Sequence, residues 1–133
     1  MNQAKSDNVV AFHARSARGT RRTRGVILMK AQDLQNSMIV QTATVAEAAK
    51  DPKTLHYVQT CLDLFFSGMY GEIPEEDTEQ NNAELEAGEG RIIARYKQEE
   101  KLTDDIYIIA YFSESNPGDI DFNNVTILYA WEY

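Results

Sequence analysis

The residues able to carry chemistry are concentrated in one stretch. Glu72, Glu75, Glu76, Asp77, Glu79, Glu84, Glu86 and Glu89 follow one another with no Lys or Arg among them. Glu72/Glu76 and Glu75/Glu79 have i, i+4 spacing, at which like charges on a helix repel by a few tenths of a kcal/mol. Selection for helix stability alone would place a base among them. Helical neighbours three and four apart sit about 5–6 Å from each other, a spacing comparable to that of backbone phosphates. An acidic helix of this kind can therefore occupy a groove built for DNA or RNA, as a DNA mimic. The competing reading is a solvated face that confers solubility.

Conventional catalytic groups are sparse. The histidines are His13 and His56, and the single cysteine is Cys61. A nucleophilic Cys needs a base within reach. Five residues of helix place His56 and Cys61 about 140° apart around the axis, on different faces. Cys61 reads as a small core residue. One Cys and two His are too few for an ordinary structural zinc site. Asp119-Ile120-Asp121-Phe122-Asn123 imitates the start of a calcium loop, but Asn124 and Ala130 stand where that loop needs Gly and a bidentate Glu. It reads as a polar turn. Gly88-Glu89-Gly90 leads into a strand, whereas phosphate-cradling glycines open a helix. The expectation is a non-enzymatic protein with no cofactor and no metal.

A second feature is the run of aromatics Tyr96, Tyr107, Tyr111, Phe112, Tyr129, Trp131 and Tyr133. Aromatics on a sheet can stack bases, but that mode also needs cations, and the strands supply only Arg91, Arg95 and Lys97. Core packing with cross-strand pairing and a protein contact surface are the other readings.

The 133 residues carry 13 bases and 21 acids, a net charge of −8, and the division is uneven. Residues 1–28 hold six bases against Asp7, a net of +5, so residues 29–133 carry −13. That figure lies beyond the roughly 2–8 charges of a small soluble domain and argues against direct nucleic-acid binding, which needs an excess of Lys and Arg. Residues 1–28 read as a disordered basic extension. Its composition is compatible with a mitochondrial presequence or a basic nucleic-acid-binding arm. A third reading is upstream sequence: Arg24-Gly25-Val26 can be encoded by bases containing AGGAG, followed by Met29 as a start. No apolar run approaches the ~18 residues of a membrane span, and one cysteine excludes an intrachain disulfide. The expected location is the cytoplasm.

The elements that must position these groups follow from periodicity. Ser37–Val45 alternates as a short strand, and Thr44 with Glu47 has capping-box spacing. Asp51-Pro52 starts a helix with Leu55, Val58, Leu62 and Phe65 on one stripe; Gly68 ends it and Gly71 makes a tight turn. Pro74 opens a second helix, Glu75–Ala87, with apolar contact only from Ala83, Leu85 and Ala87. Residues 91–97, 105–113 and 124–131 predict three strands, the middle one apolar on both faces and covered on both sides. Asn116-Pro117-Gly118 marks a turn. The predicted fold is α+β: two or three helices packed on a small, mainly antiparallel three- to four-stranded sheet ending in a β-meander, with 29–133 as a single acidic domain.

The segments Ser67-Gly68-Met69-Tyr70-Gly71-Glu72, Glu75-Glu76-Asp77, Asn81-Asn82 and Gly90-Arg91-Ile92, with Thr126-Ile127-Leu128 and Glu132-Tyr133, resemble small proteins of plasmids and phages. Those proteins carry a Gly-Asp-Trp-Gly turn, an acidic Asn-bearing helix and a Thr-Ile-Leu…Glu-Tyr tail; here Met69-Tyr70 stand at the turn in place of Asp-Trp. Counted from Met29, the length and character are also similar to type II-A anti-CRISPR proteins of bacterial mobile elements. That resemblance implies a Cas9–guide RNA complex as partner in a bacterial host. Cas9 reads its PAM with arginines and holds nucleic acid in a basic channel, to which a −13 domain would be steered. It further implies that the acids from Glu72 to Glu89 engage a basic protein surface, with Tyr107, Tyr111 and Trp131 as apolar anchors. A different mobile-element binding protein, an antirestriction factor or transcriptional co-regulator, is the alternative.

Overall fold

The computed structural model describes residues 29–97 and 104–133. The basic segment 1–28, with the readings made of it, lies outside the described residues. Four strands form one sheet: β1 (Met38–Gln41), β2 (Glu89–Tyr96), β3 (Ile106–Ser113) and β4 (Asn124–Tyr129). Its order is β1-β4-β3-β2; β2, β3 and β4 form an antiparallel meander, and β1 runs parallel to β4. Three α-helices lie between β1 and β2: α1 (Ala43–Ala48), α2 (Pro52–Phe66) and α3 (Glu75–Ala87). The α+β class holds, with all four strands in one mixed sheet.

Local chemistry sets the helix ends. Asp51 caps α2, its carboxylate accepting from Thr54 N–H at 3.1 Å, and Pro52 fills the first turn, where a missing N–H costs nothing. Gly88 closes α3 in the left-handed region at φ 82°, a conformation that costs glycine little. The cap of α1 is Thr42, which accepts from Val45 N–H at 3.2 Å, not Thr44. The strand before it ends at Gln41, so the helix starts two residues earlier than the Thr44–Glu47 spacing suggested. On α2 the buried stripe is Thr54, Val58, Cys61 and Phe65; Leu55 is 41% exposed. Val58 and Phe65 keep their predicted places, while Thr54 and Cys61 replace Leu55 and Leu62, a turn of about 50° set by packing against the sheet.

The core lies on one face of the sheet. Ile92, Ala94 and Tyr96 of β2, Ile106, Ile108, Ala110 and Phe112 of β3, and Val125, Ile127 and Tyr129 of β4 pack with Val58, Cys61 and Phe65 of α2. Fully burying one such aliphatic side chain contributes roughly 1.5–3 kcal/mol. Phe65 meets Tyr70 edge-on at 6.0 Å. Tyr96 O–H donates to Met69 O at 2.6 Å, and Tyr57 O–H donates to Tyr96 O at 2.8 Å, so the buried tyrosines tie α2 and the turn after it to β2.

The other face carries no helix among the described residues. By register it holds Val40, Thr126, Leu128, Tyr107, Ile109, Tyr111, Arg91, Ile93 and Arg95. This corrects the expectation that the central strand is covered on both sides: Tyr111 is 45% exposed. Tyr133 supplies partial cover. Its ring lies 5.3 Å from that of Tyr107, and its hydroxyl accepts from Arg91 Nη1. Tyr133 therefore spans the middle of the face, where Ile109 is buried.

Candidate binding surface

Helix α3 is fixed to the sheet edge by Asn81 and Glu84 and by Leu85, the one of its three expected apolar contacts that is buried. Asn81 is 2% exposed, and its amide faces the backbone of Ile93: Nδ2–H donates to Ile93 O at 2.9 Å, and Oδ1 accepts from Ile93 N–H at 3.1 Å. A carboxamide presents one donor and one acceptor side by side, so Asn81 stands in for the residue of a missing fifth strand. One turn later Leu85 enters the core. Between them Glu84 accepts from Arg91 N–H at 3.0 Å and from Gln80 Nε2 at 2.6 Å. Further along β2, Glu72 N–H donates to Arg95 O at 2.7 Å and Arg95 N–H to Tyr70 O at 3.1 Å. Ala83 and Ala87, expected to make the apolar contact, are exposed; at 100° per residue both lie outside the arc centred on Asn81 and Leu85.

The same periodicity aims Glu75, Glu76, Glu79 and Glu86 away from the sheet, within an arc of about 100° opposite Asn81. All four are exposed. Among the described residues, no Lys or Arg side chain pairs with these four or with Asp77; the ion pairs formed are Lys50–Glu47, Arg95–Asp105 and Lys97–Glu72. Glu75, Glu76 and Asp77 occupy the first turn, where the helix dipole favours them. That local gain offsets part of their mutual repulsion. The acidic stretch thus divides. Glu75, Glu76, Glu79 and Glu86 form an outward ridge, Glu84 is a structural acceptor, Glu72 pairs with Lys97 at 3.6 Å, and Glu89 lies on β2 near Ser113 Oγ at 3.5 Å.

The aromatic candidates are not gathered at one place. Tyr107 and Tyr111 share the face that carries no helix among the described residues, and the Arg95 guanidinium sits 5.6 Å over the Tyr107 ring. Hydrogen bonding to Asp105 holds Arg95 firmly charged, and hydrogen bonding to Tyr133 does the same for Arg91. Trp131 leaves this face: β4 ends at Tyr129, and Ala130–Glu132 form a 3-10 turn. Its ring stacks on Tyr129, which belongs to the packed face, at 5.8 Å and 14°, and its indole N–H donates to Asp104 at 3.0 Å. The predicted strand over 124–131 ends early because Glu132 turns back, accepting from Tyr129 N–H at 3.0 Å and from Thr42 Oγ1 at 2.9 Å.

Burial pushes the Cys61 thiol up to about 12, so it stays protonated and poorly nucleophilic. His56 is exposed on another side of α2. A shallow cleft of about 350 Å³ between Met29–Gln32, the end of α2 and α3 contains Lys30 as its one charged side chain and no carboxylate. It offers no acid–base pair. Asn123 organises the loop before β4, donating to Asn116 O and Asp119 O and accepting from Ser113 N–H. Searches against protein-family models, characterised proteins and solved structures find no match for the chain.

Proposed function

We propose that this chain is a binding protein that inhibits a nucleic-acid-handling partner by presenting the outward ridge of α3 to a basic surface. The observation that carries the reading is the separation of roles on one helix. Asn81, Leu85 and Glu84 hold α3 to β2, while Glu75, Glu76, Glu79 and Glu86 project outward with no cation of the described residues to neutralise them. With the helix backbone already fixed to the sheet, docking has to order only the exposed side chains of the row, and acidic complementarity accelerates encounter with a basic groove. The similarity in length and character to type II-A anti-CRISPR proteins makes the Cas9–guide RNA complex the first partner to test. Its basic channel and PAM-reading arginines are a surface of the required sign. Tyr107 and Tyr111, on the sheet face opposite α2, are the candidate apolar contacts, and Trp131 would contribute from the sheet's end.

The test is DNA cleavage by a type II-A Cas9–guide complex with and without the full chain, with gel filtration of the mixture. Inhibition with co-elution is expected. Glu75→Lys, Glu76→Lys and Glu79→Lys together should abolish inhibition while leaving the far-UV circular dichroism unchanged. Full potency in the folded triple variant refutes the acidic-ridge mechanism. No inhibition of several Cas9 orthologues removes Cas9 as the partner.

A further inference from the structure

Met29 packs against the core and lines the cleft of about 350 Å³, together with Phe66 and Tyr70 at the end of α2 and Asn82 and Leu85 of α3. Asn82 also belongs to the acidic side of α3. Glu75, Glu79, Asn82 and Glu86 follow one another at spacings of four, three and four, which keeps them within about 60° of each other around the helix axis. Glu79 and Glu86 are the neighbours of Asn82 one turn either way, about 5–6 Å from it. An apolar cleft and an acidic stripe therefore share a border at Asn82. None of the three glutamates pairs with a Lys or Arg among the described residues.

The sequence that leads into this place has the complementary order. Val26-Ile27-Leu28 adjoin Met29, and Arg18, Arg21, Arg22 and Arg24 come before them, with no Asp or Glu between Asn8 and Gln32. We propose that residues 18–28 dock on α3 of their own chain, with Val26-Ile27-Leu28 in the cleft beside Phe66, Tyr70 and Leu85 and the four arginines along the Glu75–Glu79–Glu86 stripe. The lengths agree. Glu75 to Glu86 covers about 16 Å of helix, and Arg18 to Arg24 can span up to about 20 Å. The tether selects this occupant. A short covalent link gives the arm an effective concentration of order mM at the stripe, and the planar guanidinium fork matches a carboxylate. The consequence for regulation rests on the ridge being the partner-binding surface: a docked arm holds the site that a basic partner needs and must be displaced by it.

Paramagnetic broadening in the full chain tests this. A nitroxide is attached to Thr20→Cys, which lies outside the described fold; native Cys61 is buried and is not labelled. The amide signals of Glu79, Asn82 and Glu86 should lose most of their intensity, while those of Thr126 and Leu128, on the sheet face opposite α2, keep theirs. Arg21→Glu, Arg22→Glu and Arg24→Glu together should restore the α3 signals, as should about 1 M salt, where the screening length falls to ~3 Å. Ile27→Asp, which puts a charge in the cleft, should restore them in part. Undiminished α3 signals overturn the proposal. So does broadening that survives the arginine reversal, or broadening of Thr126 and Leu128 instead. Loss of signal from unlabelled protein mixed with labelled protein would assign the contact to a second copy and overturn docking within one chain. These readouts contain no partner, so they stand or fall apart from any inhibition of Cas9. Where inhibition is found, the arginine-reversed chain should reach it at a severalfold lower concentration, and equal potency would overturn the regulatory consequence.

Discussion

Replacing Asn81 tests the mounting of the acidic helix most directly. Asn81→Ala leaves the N–H and C=O of Ile93 without partners beneath α3, at a side chain that is 2% exposed. Each unsatisfied buried backbone group costs about 1–3 kcal/mol, so the expected loss is about 2–6 kcal/mol. For a domain of this size about 2 kcal/mol lowers Tm by roughly 8–16 °C. Asn81→Asp keeps the acceptor for Ile93 N–H but sets a carboxylate against Ile93 O, where Nδ2 now donates at 2.9 Å. The folded state then favours the protonated acid and raises its pKa above the unfolded value of about 3.9. Between the unfolded and folded pKa values the folded state binds more protons, so stability falls as pH rises through that window and recovers on acidification. The assay is urea denaturation of the wild type, Asn81→Ala, Asn81→Asp and the exposed control Asn82→Ala from pH 4 to 8. Hydrogen exchange at the Ile93 amide accompanies it. Asn82→Ala should stay within about 0.5 kcal/mol. A loss below about 0.5 kcal/mol for Asn81→Ala, with Ile93 still protected, would falsify the edge-capping role.

Three further predictions follow from named contacts. Glu84→Gln keeps an acceptor for Arg91 N–H and should be nearly neutral, whereas Glu84→Ala should cost about 1–3 kcal/mol by thermal denaturation; equal effects would place the role of Glu84 in its charge. Gly71→Ala would set a Cβ 2.0 Å from Arg95 O at φ 73° and should destabilise by more than about 2 kcal/mol, while Gly118→Ala, with nothing within 4 Å, should cost about 1–2 kcal/mol from its left-handed backbone alone. Burial raises the Cys61 thiol from 9.0 to about 12. Above pH 9 the unfolded chain therefore loses a proton that the folded chain keeps, so stability should fall with rising pH across that interval. Cys61 should also resist thiol reagents until the protein unfolds, and rapid labelling of the native protein would contradict its burial.

Local rules were legible wherever a residue acts on its own neighbourhood. Asp51-Pro52 and Gly68 bracket α2, Pro74 and Gly88 bracket α3, and period-two alternation marks the three meander strands, because caps, φ preferences and amphipathic periods act within a few residues. The −13 charge of residues 29–133 is likewise a property of composition. Other features depend on partners distant in sequence. Asn81 reads as one more polar residue of an acidic helix until Ile93, twelve positions later, lies against its amide. Glu84 cannot be told from Glu86 by type; only packing against Arg91 makes one an acceptor and leaves the other on the ridge. Trp131 continues the strand's alternation, yet Glu132 reaching Thr42, ninety positions away, bends the chain out of the sheet. The parallel placement of β1 beside β4 is also a long-range choice. Composition and spacing thus determined what the chain is made of and where α2 and α3 begin and end. Tertiary pairing decided which carboxylates face solvent and which strand α3 caps, because register and edge position depend on contacts that no local period encodes.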